Sequence, residues 1–583
     1  MMTSQGCQST LPSSDKKEVA PAKAAPTQKH STPKQTSRAG GNEDFTLLLE
    51  EVELHLASGD PYLALVLLRS VDTRIANESS VSRTAALRIE TSIALGLVSN
   101  ELDWLASPDI NPAEAARLRA QICDFRGESA CVFTQLNLVA AASDQPEQLN
   151  DRIWRALVAA AQTDAPSATP SDELTAGWLA LLNIVKRTDS LEAERSAWQA
   201  WKLSRPAHPA ARVLPDALKY LEHQSATNIS QVAVLLPLSG QLQPIGRAVR
   251  DGLISAYVHE LASSTAINRL PKLRFYDSAS TPIQDLNKLA LEEGADAIVG
   301  PILRDDVLAL KTLTPPVPVI ALNYIDSAGT DATTSTAPAK SFFQMGIAIE
   351  DEARDIAKLL NQKGYEKLLF VVSSAAWADR ALNQIQKAWT QKPLILRVRS
   401  AGELTGLVGG ALTSTPEFVR KSRVQSVTGL AAVISPGKRH DVDGIVALTD
   451  PVQTSSLGPA LIYHSFGRID TYMGTQSFRS ANDVAGLGNV TVSDLPVMFA
   501  QEGFDSTLRR SWLGQSAADI SFFALGADAY RLLMRLPTEH SGSTRTIWGA
   551  SGLLMLDTDG SVRRSQGFGT FRRGSLQALS RAN

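Results

Sequence analysis

The chain has 583 residues, with 57 Lys and Arg against 60 Asp and Glu for a net charge of −3. That balance is too even for a bulk electrostatic attraction to nucleic acid or anionic lipid. The length exceeds what one hydrophobic core serves, so a composition of 44% hydrophobic and 20% charged residues reads as roughly two to four globular domains, and no apolar run reaches the roughly 18–20 residues that span a bilayer.

Residues 1–42 are Lys, Ala, Pro, Ser, Thr and Gln with almost no large apolar groups, so they cannot bury enough surface to offset chain entropy and read as a disordered tether. The residues after Cys7 would span about 30–35 Å as a flexible coil, and up to about 110 Å drawn out in polyproline form. Residues 43–224 then read as short helices at Phe45–Ala57, Tyr62–Val71, 79–97, 111–124, 129–142, 147–162, 171–187, 189–203 and 210–222. Gly59-Asp60-Pro61 punctuates the first pair, with Pro61 suited to a first helical turn. Helix pairs of this kind predict a tetratricopeptide-like domain, although no clean 34-residue period is present. Cys123 and Cys131 flank Gly127. They read as two small buried apolar residues, with a bond across a helical hairpin as the alternative in an oxidising compartment.

From Gln231 the period changes. Val232–Leu236 is a short apolar run, Pro237–Gly240 breaks it, and Ile245, Val249, Leu253 and Ile254 then fall on one helical face. A buried strand, a Ser/Gly turn and an amphipathic helix open a βαβ unit. Further strands are expected at Leu273–Tyr276, Ala297–Val299 and Val317–Leu322, with helices near 243–261, 282–292 and 304–313. A second series comprises helix Phe342–Gln362, strand Lys367–Val372, helix Trp377–Thr390 and strands Leu394–Arg397, Gly444–Leu448 and Ala460–His464. A long helix, Ile520–Leu536, precedes a β-rich end over Gly552–Leu556, Asp557–Gly560 and Gly567–Phe571. The predicted architecture is therefore a helical domain (43–224) followed by a two-lobed α/β domain (231–583) with a cleft between Rossmann-like lobes.

Val232–Gly240, Gly246, Ala248–Gly252, Ala295–Pro301, Pro318–Leu322 and Gly549–Asp557 together resemble type I periplasmic solute-binding proteins. More narrowly, the ordered set of Trp201, His208-Pro209-Ala210, Leu214-Pro215, VAVLLPLSG, AVRDG, IVGPILRDDV, PVIALNY, Phe343-Gln344, Glu350–Ala353 and Asp494-Leu495-Pro496 resembles the LppC/LpoA family, lipoprotein activators of penicillin-binding proteins. Ala378 and Val497 stand where that pattern has a glycine and an aromatic residue. The resemblance implies a non-catalytic outer-membrane lipoprotein on the periplasmic face that activates a class A penicillin-binding protein, a bifunctional peptidoglycan synthase. Peptidoglycan is a second candidate partner, and the membrane is reached only through the lipid. Cys7 is the implied acylation site. Only MMTSQG precedes it, without a basic or an apolar region, so the expectation is that a secretion signal lies upstream of the given start.

Brändén's rule puts a ligand beyond the carboxyl ends of parallel strands. Ser239 and Gly240 are accordingly the first ligand-binding candidates, with turn formation and helix capping as the plainer alternative. Gly300, Pro301, Asn323 and Tyr324 end later strands and are expected to face the same cleft, and Trp377 opens a second-lobe helix that could cover a ligand. A small amino-acid-like or muropeptide ligand held there would make the chain a solute receptor, the competing function. No metal-type spacing, cofactor motif or nucleophile motif is present. Asp305-Asp306 and Glu350-Asp351-Glu352 read as acids complementing helix dipoles. His440 beside Asp441 reads as surface charge, and the arginines from Arg563-Arg564 to Arg572-Arg573 as solvent-facing strand positions rather than a nucleic-acid site.

Overall fold

The computed structural model describes residues 41–70, 78–97, 105, 110–163, 172–187, 190–222, 229–263, 270–325, 341–389, 391–412, 415–429, 441–464, 469–499, 520–536, 545–557 and 559–579. Residues 1–40 of the tether expected over 1–42, including Cys7, lie outside them, as does His440, while Gly41 and Asn42 open the first helix. The chain divides at Leu87 and Arg88 into two compact units. In the first, α1 (Gly41–Ala57) and α2 (Pro61–Ser70) turn on Gly59. With the start of α3 (Glu78–Leu95) they enclose Phe45, Leu49, Val52, Ala64, Leu68 and Leu87.

The second unit begins with a helical layer of α4 (Pro112–Phe125), α5 (Ser129–Ala141), α6 (Asn150–Thr163), α7 (Glu173–Arg187) and α8 (Leu191–Ser204). The α4–α5 hairpin brings the Cα atoms of Cys123 and Cys131 to 5.8 Å, and the two sulfurs are bonded. This corrects their reading as two independent buried thiols: the tight turn at Gly127 sets the end of one helix against the start of the next. The helix expected over 210–222 is also interrupted. It divides into α9 (Pro209–Arg212) and a 3-10 turn at Asp216–Leu221, because Val213 is extended and the following Pro215 disfavours a helical conformation at Leu214. Inside this layer His208 meets Trp178 and Trp201 edge-on at 4.9 and 5.1 Å.

The first lobe opens with β1 (Gln231–Leu236), α10 (Gln243–Ser263), β2 (Lys272–Asp277), α11 (Ile283–Glu292), β3 (Ala297–Val299), α12 (Arg304–Thr312), β4 (Val319–Ala321) and β5 (Phe342–Met345). Strand β1 lies between β2 and β3, both parallel to it, so Val234 faces Phe275 on one side and Val299 on the other. Every residue from Val232 to Leu236 is fully buried, as a strand covered on both faces requires.

The second lobe comprises α13 (Ile349–Lys363), β6 (Leu368–Ser373), α14 (Ala376–Ala388), β7 (Leu394–Val398), α15 (Leu404–Leu412), α16 (Thr415–Thr428), β8 (Gly444–Leu448), α17 (Pro451–Tyr463), β9 (Asp470–Met473) and β10 (Val490–Asp494). The chain then returns to the first lobe through α18 (Pro496–Phe499) and α19 (Ile520–Leu533), and adds β11 (Arg545–Trp548), β12 (Leu553–Leu556) and β13 (Ser561–Ser565) to the first sheet. Strands β14 (Gly567–Arg572) and β15 (Ser575–Ala578) finish the second. The sheet orders are β11-β12-β13-β5-β4-β3-β1-β2 and β15-β14-β10-β9-β8-β6-β7. A tetratricopeptide-like helical segment followed by a two-lobed α/β domain is thus the architecture.

Two second-series expectations need correction. Phe342–Gln362 is not one helix, because Phe342–Met345 is a strand paired with both β4 and β13, and the helix starts only at Ile349. Ala460–His464 is not a strand. It ends α17, whose start is a capping box in which Asp450 and Gln453 satisfy each other's backbone N–H groups.

Helices α10 and α19 touch backbone to backbone. A Cβ on Gly252 would stand 1.8 Å from the Phe523 carbonyl oxygen, and one on Gly526 would stand 2.0 Å from that of Val249. The helical layer is joined to the first lobe by buried groups. Trp548 and Leu553 enter the helical core, the Leu191 N–H donates to Glu260 at 3.1 Å, and Glu194 pairs with Arg535 at 2.7 Å with both side chains 2% exposed. Among the described residues, no helix is long and apolar enough to cross a membrane.

Candidate functional site

The Ser239-Gly240 turn is held from β2. The Asp277 carboxylate accepts the N–H groups of Leu238 at 2.8 Å and Ala279 at 3.0 Å, together with the Ser239 N–H and hydroxyl. Burial works to raise the Asp277 carboxyl, but these donors outweigh it and leave it below the usual range. The turn is therefore satisfied from within. Gly300 has φ +100°, and its Cβ would stand 2.1 Å from the Leu235 carbonyl oxygen. Its N–H donates to Ile320, and Pro301 accepts the Leu322 N–H, so this pair locks β1, β3 and β4 together.

Asn323 donates to the Ile302 carbonyl at 2.9 Å and accepts the Tyr324 N–H at 2.9 Å. Tyr324 donates its hydroxyl to the Val562 carbonyl at 2.7 Å, so it bridges β4 to β13. Trp377 is half-buried against the second lobe's core, and Ala378 and Val497 are fully buried in their respective cores.

A cavity of about 700 Å³ lies between the lobes. The first lobe supplies Ile302, Leu322, Asn323 and Ile347. The second supplies Thr475, Phe478, Arg479 and Asp494, and Ile520–Leu525 completes the wall through its first three residues and Leu525. Of the seven residues expected to bind a ligand, Asn323 alone lines it. Among the described residues, Asp494 is the single acid that lines it.

The floor of the cleft adjoins the place where the chain changes lobes. It does so three times: between β5 and α13, after Asp494, and between β13 and β14 at Gln566. Asp351, Glu352, Asp355, Asp494 and Arg564 are all buried there. The Glu352 carboxylate accepts the Thr475 N–H at 2.7 Å and the Thr475 hydroxyl at 3.2 Å. Its approach is so close to Gly474 that a Cβ there would stand 2.6 Å from Oε2. Asp351 accepts the Arg564 N–H at 3.1 Å, Asp355 the Gln566 N–H at 2.9 Å, and Asp494 the Leu495 N–H at 2.7 Å. Gln566 is best satisfied with its amide nitrogen toward Glu352 at 3.2 Å and its oxygen on Arg564 Nη2 at 3.1 Å.

Burial pushes the Glu352 carboxyl up to about 7, with the nearby Asp494 adding to it and Thr475 opposing. Burial likewise pushes Asp494 up to about 7 against the Leu495 N–H and Arg564. It raises Asp355 despite Lys358.

This cluster is what reading the sequence missed. Asp351 and Glu352 do occupy the first turn of α13, but they face inward rather than simply complementing its dipole. The signal was present: Glu352 and Asp355 fall at helical spacing on the stripe shared by Ala353, Ile356, Ala357 and Leu360, all buried. Arg564 also departs from the expectation of solvent-facing arginines, being 3% exposed, while its neighbour Arg563 points outward to Asp557. Asp305 and Asp306 remain at the start of α12 as expected, and Asp441 pairs with Lys367 at 2.5 Å.

Comparison with known proteins places this arrangement. The family model described as "LppC putative lipoprotein" matches residues 88–574. A Pectobacterium parmentieri protein named penicillin-binding protein activator LpoA is 24% identical over 517 residues, covering 74% of this chain and 75% of that one. A Photobacterium profundum protein of the same name is 23% identical over 484 residues, covering 80% and 77%. The crystal structure of full-length LpoA from Haemophilus influenzae aligns with a TM-score of 0.48 at 18% identity, over 93% of this chain and 96% of that one. With the match running through the whole helical layer, both lobes and all three crossings, the chain belongs to the LppC lipoprotein family.

Proposed function

We propose that the protein is a non-catalytic, lipid-anchored activator of a class A penicillin-binding protein, working from the periplasmic face of the outer membrane in cell-wall synthesis. The observation that carries this is family membership over residues 88–574, with relatives named penicillin-binding protein activator matching about three-quarters of both lengths. The Cys123–Cys131 bond supports an oxidising compartment. Cys7 is the acylated residue in this reading, and the polar segment after it is the tether. The helical and two-lobed parts are proposed to meet near residues 222–231.

Activation then works by population shift. The protein binds the synthase's active conformation more tightly than its resting one, because a partner with equal affinity for both would shift nothing. The competing solute-receptor reading draws on the interlobe cavity, whose roughly 700 Å³ suits a small ligand. Asn323 and Asp494 would then make its polar contacts. Melting of the full chain separates the two. We expect the transition to rise with a synthase ectodomain, by about 2.7 kcal/mol of stabilisation at a hundred times Kd, and to stay fixed with amino acids or muropeptides. A rise with the small ligands and none with the ectodomain would transfer the function to the receptor reading.

A further inference from the structure

The buried groups at the lobe junction carry an inference independent of the activator reading. All three crossings meet at one cluster, and its four carboxyl groups are between 2% and 6% exposed. Among the described residues, the cations facing them are few. Arg354 is committed to Asp351 at 2.7 Å and Lys358 to Asp355 at 3.4 Å, while Arg563 is held by Asp557. Tyr324, the titratable group facing the cluster from the first lobe, is kept neutral by burial and by Asp351. Arg564 is thus left opposite both Glu352 and Asp494. Its Nε and Nη1 have no hydrogen-bond partner, so it attracts the two acids without bonding either.

Two buried carboxylates sharing one cation at a distance cannot both ionise without a large loss of solvation. We propose that the lobe junction is proton-gated: one proton held by the Glu352–Asp494 pair keeps the three crossings packed, and its loss loosens the junction and lets the lobes move apart. The sign follows from the geometry. In a loosened junction water reaches both acids and returns them to the ordinary carboxylate range, so the packed form binds the proton more tightly. Packing is favoured in acid, and that advantage is lost progressively from the ordinary carboxylate range, about 4, up to about 7, where the groups titrate in the packed form.

The test is the interlobe distance in the full chain. Spin labels at Lys288→Cys and Lys387→Cys, one on each lobe and both at exposed positions, are introduced in a Cys7→Ser background. Their separation is followed by dipolar spectroscopy from about pH 4 to about pH 8, which spans the ordinary carboxylate range and the titration of the packed form. We expect the distribution to lengthen and broaden as pH rises. In Glu352→Gln it should stay short throughout, because the amide keeps an oxygen for the Thr475 N–H and stands in for the neutral acid. Asp494→Asn should do the same, and it serves as the measurement if Glu352→Gln fails to fold. A distance that does not change with pH in the parent protein would overturn the proposal, and so would a pH response of equal size in the variants.

Discussion

Replacing Leu235 with aspartate is expected to abolish folding of the first lobe. Leu235 sits fully buried in β1, paired with β2, and its carbonyl oxygen lies against Gly300. Its side chain packs among Ala233, Ile283, Leu286, Ile298 and Val307, where nothing can pair with a carboxylate. Loss of the leucine's burial costs about 1.5–3 kcal/mol, and the unpaired acid adds several kcal/mol more. Together these approach the whole stability of a typical domain, about 5–15 kcal/mol. Circular dichroism during heating should show the cooperative transition lost or displaced far downward. An unchanged transition would mean that β1 is not the central strand of the first sheet.

Glu194→Ala is expected to have the next largest effect, and one that is diagnostic of how the helical layer is attached. Arg535 is buried with Glu194 as its carboxylate partner at 2.7 and 3.2 Å. Burial opposes its charge, but Glu194, Tyr220 and Glu260 outweigh that and hold it protonated. Removing Glu194 strands a buried guanidinium, which costs about 3–5 kcal/mol. Because the pair joins α8 to the segment following α19, the loss should appear first as protease sensitivity between the helical layer and the first lobe. The double replacement Glu194→Leu with Arg535→Met should recover much of the stability, since a packed apolar pair can replace a buried ion pair at little cost. If Glu194→Ala matches the parent protein in melting and in proteolysis, the pair does not hold the layer in place.

The legible parts of the fold were those with a single local cause. Val232–Leu236 followed by Pro237–Gly240 and a 3.6-residue apolar period has one reading, and β1 and α10 lie where it puts them. Short apolar runs lack that property. Ala460–Tyr463 is equally compatible with a strand or a helix end, and the deciding feature was the Asp450/Gln453 cap about ten residues upstream. Strand β5 depended on partners distant in sequence, since β13 reaches it from more than 200 residues away.

The ligand candidates failed to converge for a related reason. Brändén's rule locates a strand end but does not say whether the turn's donors are already occupied, and Asp277 occupies those at Ser239. The junction cluster was least legible because its members come from three separate crossings. The inward spacing of Glu352 and Asp355 could be read locally, but their meeting with Asp494 and Arg564 could not.

Action on a peptidoglycan synthase is measured in a purified assay. The full chain is mixed in detergent with a class A penicillin-binding protein from the same organism, and glycan polymerisation and peptide crosslinking are followed on lipid-linked precursor. Detergent replaces the membrane, so Cys7→Ala should stimulate as the parent protein does. In cells the same substitution, expressed with a functional secretion signal, should weaken activity, because the tether raises the effective concentration near a membrane-bound partner. The synthase rate is expected to rise, to saturate with added protein and to stay at its basal level with Leu235→Asp. Absence of both binding and stimulation at concentrations of about 1–10 µM, a range in which weak specific complexes still form, would contradict it.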